Sequence, residues 1–404
     1  MKTLSIAIED HSIDHSLPIS GVKFEPNICY ESANISNDIF VRKLITSPGP
    51  YISDYVTHQN DFKYTTLGIH VGQTDRLTFM GGEGKNIVGH LIDCRKDSST
   101  YGTRIKIEYK TSMYRKLIIP MGVAHSFENL QHVITRDEPI WYSSFHNPDW
   151  DISNDLISIP LDIEYKNLPR IEVNKFLLPI EGHIFFSQLQ QDNLRTAKRY
   201  ALRSKSETGQ YHIQANKDWT ETAIDFESVF HPSTIIPDVK WLKNSYALTG
   251  PKSYTVVPST RSCVSDVIEL DFQSNSSFFR CHKRQNSFVT FLDREGEKIC
   301  IDLIDLRQSS RLMETLQVTC DPRVRLVIPA GVAYRFKSHA KHLIRFEREI
   351  LLDKNEPRTD LPKIGSDCLL ALEEDLRKMP IFSPPHIICP DKAIWLIVDA
   401  ESML

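Results

Sequence analysis

The chain carries two pairs of similar segments, and this internal repeat constrains its fold more than any other sequence feature. His90–Arg95 (HLIDCR) is matched 212 residues later by Asp302–Arg307 (DLIDLR). Lys116–Phe127 (KLIIPMGVAHSF) is matched 209 residues later by Arg325–Phe336 (RLVIPAGVAYRF). Because both matches keep their order at nearly equal offsets, the sequence indicates a duplicated domain.

The segments around these blocks are typical of short β-strands. Arg104–Glu108 and Thr315–Thr319 alternate between two residue classes with a period of two. Each Ile-Pro-x-Gly block predicts a strand that ends in a turn, since proline cannot donate to a ladder and glycine allows positive φ. Helical periodicity is rare, and we predict helices only at Asp367–Met379 and Leu194–Lys205.

These patterns predict an all-β fold, a sandwich or barrel, with a few helices. The repeat places one domain at 1–185 and a second at 240–404, with a connecting region at 186–239. Among 404 residues, 41% are hydrophobic, which is enough for two cores.

The charge and hydropathy patterns exclude some function classes. The chain has 48 basic and 52 acidic residues, a net charge of −4, which argues against a nucleic-acid partner. Apolar runs stay well below the roughly 18 residues of a membrane span. The N-terminal MKTLSIAIEDHSIDHS contains early acidic residues and does not resemble a signal peptide. We therefore expect a cytoplasmic protein without a membrane partner.

The first half resembles a known family. The matching motifs occur in the family's order, between Val22 and Ile163: Asn27–Ser32 (NICYES), Leu67–His70 (LGIH), Leu91–Gly102 (LIDCRKDSSTYG), Ile119–Phe127 (IPMGVAHSF), Trp141–Tyr142, Asn147–Pro148 and Ser153–Asp155. Together they resemble the dTDP-4-dehydrorhamnose 3,5-epimerases, which are cupin-fold (jelly-roll) sugar-nucleotide enzymes. The resemblance implies tandem cupin domains and a metal-free epimerase or isomerase that needs no cofactor.

The resemblance also implies roles for individual residues. Epimerisation next to a ketone needs a base on one face of the sugar and an acid on the other. The family motifs make His70 the base and Tyr142 the acid. They imply a second group of residues that contact the substrate: Glu31, Arg76, Arg95, His125 and Asn129. The expected substrate is a small sugar or keto compound, free or linked to a nucleotide.

Some positions depart from the family pattern. Leu67 stands where the family has an arginine that contacts the diphosphate. No aspartate is identified that would orient His70, and Asn174 and Lys175 fall in its neighbourhood. The Asp-x-Arg motif of Arg95 recurs in the second half, so a structural ion pair is an alternative role for Arg95.

The second half is predicted to be catalytically silent and structural. Ile268–Asp271 falls near the place of the His70 motif, and Phe346 or Glu347 falls at the place of Tyr142. Since family epimerases pair two barrels, we expect either a monomer with pseudo-dimeric halves or a homodimer.

Two other functions fit the sequence. A metal-dependent cupin oxygenase or isomerase would use the pattern Pro120–Asn129, but His70 is followed by Val71 and Gly72 and lacks the usual His-x-His. A non-catalytic module could bind a carbohydrate or a partner in the same cavity.

Overall fold

The structure is a computed structural model. It describes residues 3–9, 14–33, 41–46, 53–58, 62–144, 150, 155–179, 182, 201–205, 211–215, 220–221, 235–244, 248–249, 254–257, 265–271, 278–338, 340–352, 367–371, 375–385 and 387–388.

The described residues form strands and a few single 3₁₀ turns, at Gly82–Gly84, Tyr165–Asn167 and Leu376–Lys378. In chain order the strands are β1 (Thr3–Ala7), β2 (His15–Ser16), β3 (Lys23–Pro26), β4 (Ile28–Ala33), β5 (Val41–Thr46), β6 (Asp54–His58), β7 (Thr66–His70), β8 (Gln73–Gly81), β9 (Asn86–Asp93), β10 (Arg104–Lys110), β11 (Arg115–Ile119), β12 (Val123–Glu128), β13 (Val133–Asp137), β14 (Ile140–Ser143), β15 (Leu156–Pro160), β16 (Phe176–Leu177), β17 (Ala201–Lys205), β18 (Tyr211–Ala215), β19 (Thr220–Glu221), β20 (Lys240–Lys243), β21 (Leu248–Thr249), β22 (Tyr254–Val257), β23 (Ser265–Asp271), β24 (Phe278–His282), β25 (Gln285–Phe291), β26 (Lys298–Asp305), β27 (Leu312–Thr319), β28 (Val324–Ile328), β29 (Val332–Lys337), β30 (Lys341–Leu352), β31 (Asp367–Ala371) and β32 (Ile387–Ile388).

The chain divides into two compact units, each built from three segments. Unit 1 comprises Met1–Asn27, Tyr51–Thr222 and Ser245–Pro258, and unit 2 comprises Ile28–Pro50, Ala223–Asn244 and Ser259–Leu404. This division differs from the contiguous ranges predicted from the repeat. The β4–β5 hairpin joins unit 2 through β23, and β22 joins unit 1 through β6. In both units the borrowed strand covers a sheet edge that would otherwise be unpaired.

Unit 1 contains two large sheets that share a core, and a separate two-stranded sheet of β19 and β21. One sheet runs β1-β10-β9-β12-β7-β15-β17-β18, and the other runs β2-β3-β11-β8-β13-β6-β22, with β14 beside β8. Leu91 and Ile105 from the first sheet pack with Leu77 and Leu117 from the second. Sheets packed in this way bury the inward face of each alternating strand.

Unit 2 repeats this arrangement. Its sheets run β27-β26-β29-β24-β31 and β20-β28-β25-β30-β23-β5-β4, and Leu303 from one packs with Leu326 from the other. The predicted all-β fold of tandem cupin domains is therefore confirmed. No helix among the described residues is long and apolar enough to cross a membrane.

The two predicted helices are not found where the chain is described. Within Asp367–Met379, the structure has the strand β31 followed by the 3₁₀ turn Leu376–Lys378. Within Leu194–Lys205, residues 201–205 form the strand β17, and the rest lies outside the described residues. Short apolar runs fit both the helical and the strand periodicity, and pairing with a neighbouring strand decides which structure forms.

The strand register gives many positions of unit 1 a counterpart in unit 2. The pair His125–Gly68 corresponds to Tyr334–Arg280, and the pair Asp137–Leu77 corresponds to Phe346–Val289. The offsets are the 212 and 209 residues of the sequence repeat. Equivalent positions can therefore be compared without any outside sequence.

Candidate active site of unit 1

His70 is oriented by Asp155, which precedes β15. His70 Nδ1 lies 2.7 Å from Asp155 Oδ2, and β15 pairs with the His70 strand β7. Asp155 Oδ1 also accepts hydrogen bonds from the amides of Val71 (3.2 Å) and Gly72 (2.6 Å) and from Trp150 Nε1 (2.8 Å). Because the carboxylate accepts at Nδ1, neutral His70 carries its proton there, and Nε2 faces the barrel interior.

The sequence analysis missed this aspartate. Asp155 belongs to the Ser153–Asp155 segment that matched the family, but it was given no role. Asn174, which the sequence placed near this position, binds backbone carbonyls instead. Its backbone N–H donates to Val71 O (3.0 Å), and its side-chain Nδ2 donates to Tyr142 O (2.8 Å).

Asp75 joins His70 to His125, as the alternation of β8 turns its carboxylate inward. Asp75 Oδ2 lies 3.1 Å from His125 Nε2 and 3.8 Å from His70 Nε2. Gln73 Nε2 donates to Asp75 Oδ1 at 2.5 Å, which fixes the carboxylate. His125 Nδ1 lies 3.1 Å from Val123 O, so both imidazoles present Nε2 to one carboxylate oxygen.

The acidic neighbours dominate the electrostatics of His70. Burial alone lowers the pKa of His70, but the charge of Asp75 and the hydrogen bond and charge of Asp155 outweigh it and raise the pKa to about 9. Burial also opposes ionisation of Asp75, yet His70 and His125 hold the pKa of Asp75 below its ordinary value. The site is therefore a charged cluster of imidazole and carboxylate at neutral pH.

The same three side chains could hold a metal ion. The ligand atoms of His70, Asp75 and His125 lie within 4.8 Å of one another. Two imidazoles and one carboxylate are a ligand set that suits iron and related divalent metals.

The backbone of Tyr142 is hydrogen-bonded next to this cluster. Its amide donates to Gly72 O at 2.7 Å, and β14 pairs with β8 so that Trp141 is opposite Gln73. The Tyr142 side chain is half-buried. Its role as the acid stays a prediction.

Two predicted arginines lie elsewhere in unit 1. Arg76 follows Asp75 on β8, so strand alternation places it on the opposite face, where its Nε donates to Glu138 O at 3.1 Å. Arg95 is bound to Asp93 through Nε (2.9 Å) and Nη2 (2.8 Å), and its Nη2 also donates to Ser20 O (2.7 Å). Neither guanidinium is brought to the imidazole pair.

Of the other two predicted substrate contacts, Asn129 is not brought to the cluster, and the role of Glu31 stays a prediction. Asn129 is an exposed turn residue with φ of 65°, and its Nδ2 donates to Asn86 O at 3.2 Å. Glu31 lies in β4, which belongs to unit 2, whereas His70 belongs to unit 1.

Unit 2 keeps the scaffold residues at the equivalent positions. Arg307 binds Asp305 at 2.9 and 3.0 Å in the geometry of Arg95 and Asp93. On the outer sheet face, the buried pair Arg136–Glu138 (2.9 Å) has the counterpart Arg345–Glu347 (2.6 Å). Because these pairs are present in both units, they belong to the fold.

Unit 2 also keeps a histidine at the position of His70, which was not predicted from the sequence. His282 is the counterpart of His70: its carbonyl accepts from Gly331 at 2.7 Å, as His70 O accepts from Gly122. Ile268–Asp271 instead lies in β23, the counterpart of β6.

The other residues near His70 are replaced in unit 2. Ser287, Tyr334 and Phe346 stand at the positions of Asp75, His125 and Asp137. The counterpart of Tyr142 is Leu351, not Phe346 or Glu347, because its amide makes the equivalent bond to Arg284 O (2.8 Å). His282 Nε2 lies 3.2 Å from Tyr334 OH inside a packed interior.

Comparison with known proteins adds the following. No family model matches the chain, and no curated protein matches it. Similar solved structures include a dTDP sugar isomerase from Desulfovibrio desulfuricans, with 14% identity over 38% of this chain and 95% of that chain and a TM-score of 0.25. NovW, a 4-keto-6-deoxy sugar epimerase from Streptomyces spheroides, shows 15% identity over 45% and 93%, with a TM-score of 0.26. The oxalate decarboxylase of Lactobacillus farciminis shows 12% identity over 84% of each chain, with a TM-score of 0.21. These TM-scores are all below 0.5 and do not establish the function of this chain.

Proposed function

We propose that unit 1 is an epimerase or isomerase that moves a proton next to the ketone of a small carbohydrate. The observation that carries this proposal is the 2.7 Å contact between His70 Nδ1 and Asp155 Oδ2. It holds one tautomer and leaves Nε2 as the atom that exchanges a proton with the substrate. In this mechanism His70 is the base, and Tyr142 is the acid on the other face of the sugar.

The comparison of the two units supports a functional reading of the cluster. The barrel of unit 2 forms with Ser287, Tyr334 and Leu351 at the positions of Asp75, His125 and Tyr142. The fold therefore does not require the carboxylate, the second imidazole or the phenol. His125 is proposed to hold a polar group of the substrate beside the base.

The test is exchange of solvent deuterium into a panel of ketones by the full chain. The panel comprises dTDP-4-keto-6-deoxyglucose, its sugar 1-phosphate and the free 4-keto sugar. His70→Gln should lower exchange by about 10²–10⁴-fold, the usual contribution of a general base. His282→Gln is the matched control in unit 2 and should leave exchange unchanged. Absence of exchange into every panel member would overturn the proposal.

A divalent-metal cupin enzyme is the second candidate, and one observation favours it. Both imidazole Nδ1 atoms are already engaged, by Asp155 and by Val123 O, which is the usual arrangement around metal-bound histidines. Elemental analysis of the purified chain decides between the candidates. A stoichiometric metal that is lost both in His125→Tyr and in His70→Gln would make His70 Nε2 a ligand and would rule it out as the base.

A further inference from the structure

A third carboxyl group, that of Asp137, lies in the interior of unit 1, and the mechanism above does not use it. Asp137 is the last residue of β13 and is directly opposite Leu77 of β8. Directly paired residues share a face of the sheet, and so do residues two apart on a strand. Asp137 is therefore on the inward face with Asp75, as its diagonal neighbour across the two strands.

The surroundings of Asp137 favour its neutral form. Its Oδ1 atom is buried and makes no hydrogen bond within the described part of the chain. The neighbouring cation Arg136 points to the other face, where it pairs with Glu138 at 2.9 Å. Asp54 of β6 is directly paired with Asp137 on its other side.

The charged groups around Asp137 are mostly acidic. Burial raises the pKa of Asp137 well above its ordinary value, and the charges of Asp75, Asp54 and Glu138 raise it further, whereas His70 lowers it.

Unit 2 shows that the barrel does not need a carboxyl group here. Its counterpart, Phe346, packs against Tyr334 (6.4 Å between ring centroids) and Phe336 (6.0 Å) in the core. A buried polar atom without a partner destabilises the fold. Asp137 therefore carries a cost that an aromatic residue avoids in the same fold.

We propose that Asp137 is held as a neutral carboxylic acid and donates a hydrogen bond to the carbonyl oxygen of the substrate. This inference rests on the proposed function of unit 1. When His70 Nε2 takes the proton from carbon, the C–H electron pair forms a C=C bond and the carbonyl π pair moves to oxygen. The Asp137 O–H donates a hydrogen bond to that enolate oxygen until Tyr142 returns a proton to the other face of the carbon. Solvent then takes the proton from His70 and reprotonates Tyr142. Enzymes use buried carboxylic acids as such donors.

The first test needs no substrate. The infrared difference spectrum of the full chain minus Asp137→Asn at pH 7 should contain the C=O stretch of a protonated carboxylic acid. The same band should persist in Glu128→Gln, a control at an exposed acid of β12. If the spectrum shows only carboxylate bands at position 137, Asp137 is ionised and the inference is overturned.

The second test is deuterium exchange into the ketone panel. Asn keeps a hydrogen-bond donor of similar size, so Asp137→Asn should stay within about tenfold of the unmodified chain. Asp137→Phe installs the residue of unit 2 and should lose about 10²–10³-fold, as expected for removing one donor to a developing oxyanion. Its melting temperature should be equal or higher, which excludes misfolding as the cause.

The outcomes separate this inference from the proposed function. If Asp137→Phe exchanges as fast as the unmodified chain, the hydrogen-bond role is overturned even when the infrared band is present. If the unmodified chain exchanges no panel ketone, the proposed function fails and the donor role fails with it. In that case an infrared band would support only the neutral carboxyl group.

Discussion

Asp75→Ser is the change that should alter the site most directly, and Ser287 shows that the fold accepts serine at this position. Asp75 Oδ2 lies 3.8 Å from His70 Nε2. At that distance and an effective dielectric constant of about 20, a carboxylate stabilises an imidazolium by about 4 kcal/mol. At about 1.4 kcal/mol per pKa unit, this corresponds to a change of about 3 in pKa.

The pKa of His70 should therefore fall from about 9 to its ordinary value of about 6.5 or lower in Asp75→Ser. Asp155 remains in the variant, and its hydrogen bond opposes part of the fall. The measurement is an NMR titration of histidine-labelled protein, with the His70 signal assigned from His70→Gln. Glu128→Gln removes an acid that is paired with His90 (2.9 Å) and should leave the His70 titration unchanged.

The same substitution should change how stability depends on pH. The folded pKa of His70 lies above its unfolded value, so its contribution is complete below about pH 6.5 and is lost as pH rises through about 9. The difference between the two pKa values corresponds to about 3 kcal/mol of unfolding free energy. Urea unfolding should show this as a higher stability at pH 6 than at pH 10, and Asp75→Ser should remove most of that difference. A His70 pKa that stays near 9 in the variant would refute the role assigned to Asp75.

Three further predictions follow from the geometry. Deuterium exchange should rise about tenfold per pH unit up to about pH 9, since the base must be neutral His70; a flat rate between pH 6 and 8 contradicts this. Tyr142→Leu should lower formation of the epimer by about 10²–10⁴-fold with little change in unfolding free energy, whereas deuterium exchange from the His70 face should continue; a large loss of stability would instead assign Tyr142 to the core. Asp93→Asn and Asp305→Asn should each destabilise their unit by about 3–5 kcal/mol, because each leaves a partly buried arginine without its carboxylate. If Asp93→Asn abolishes exchange without loss of stability, the Arg95–Asp93 ion pair is part of the site.

The repeat and the strand pattern were sufficient to predict the tandem barrels. Alternating residues at Arg104–Glu108 and the Ile-Pro-x-Gly turns are local signals, and β10 and β11 lie where these signals place them. The exchange of β22 and of β4–β5 between the two halves has no local signal. It depends on which sheet edge is open, a property of the assembled sheets.

The candidate site was only partly predictable. His70 and His125 were found through their motifs, but Arg76 was assigned a contact with the substrate and Asp75 was given no role. One residue of strand register decides which of these two side chains enters the barrel. Asp155 lies 85 residues from His70 in the chain, and only the pairing of β7 with β15 brings them together.

The cost of the cluster is the strongest reason to assign it a function. Burial opposes the charged forms of His70 and Asp75, and it favours the neutral form of Asp137. Unit 2 avoids most of this cost with a serine and a phenylalanine, yet it keeps the Arg307–Asp305 and Arg345–Glu347 pairs, which are also charged. Stability alone therefore explains the charged pairs that both units share, and it does not explain the acidic residues that only unit 1 has. A residue that destabilises the fold and is absent from unit 2 has to contribute in another way, and we propose that it does so in proton transfer.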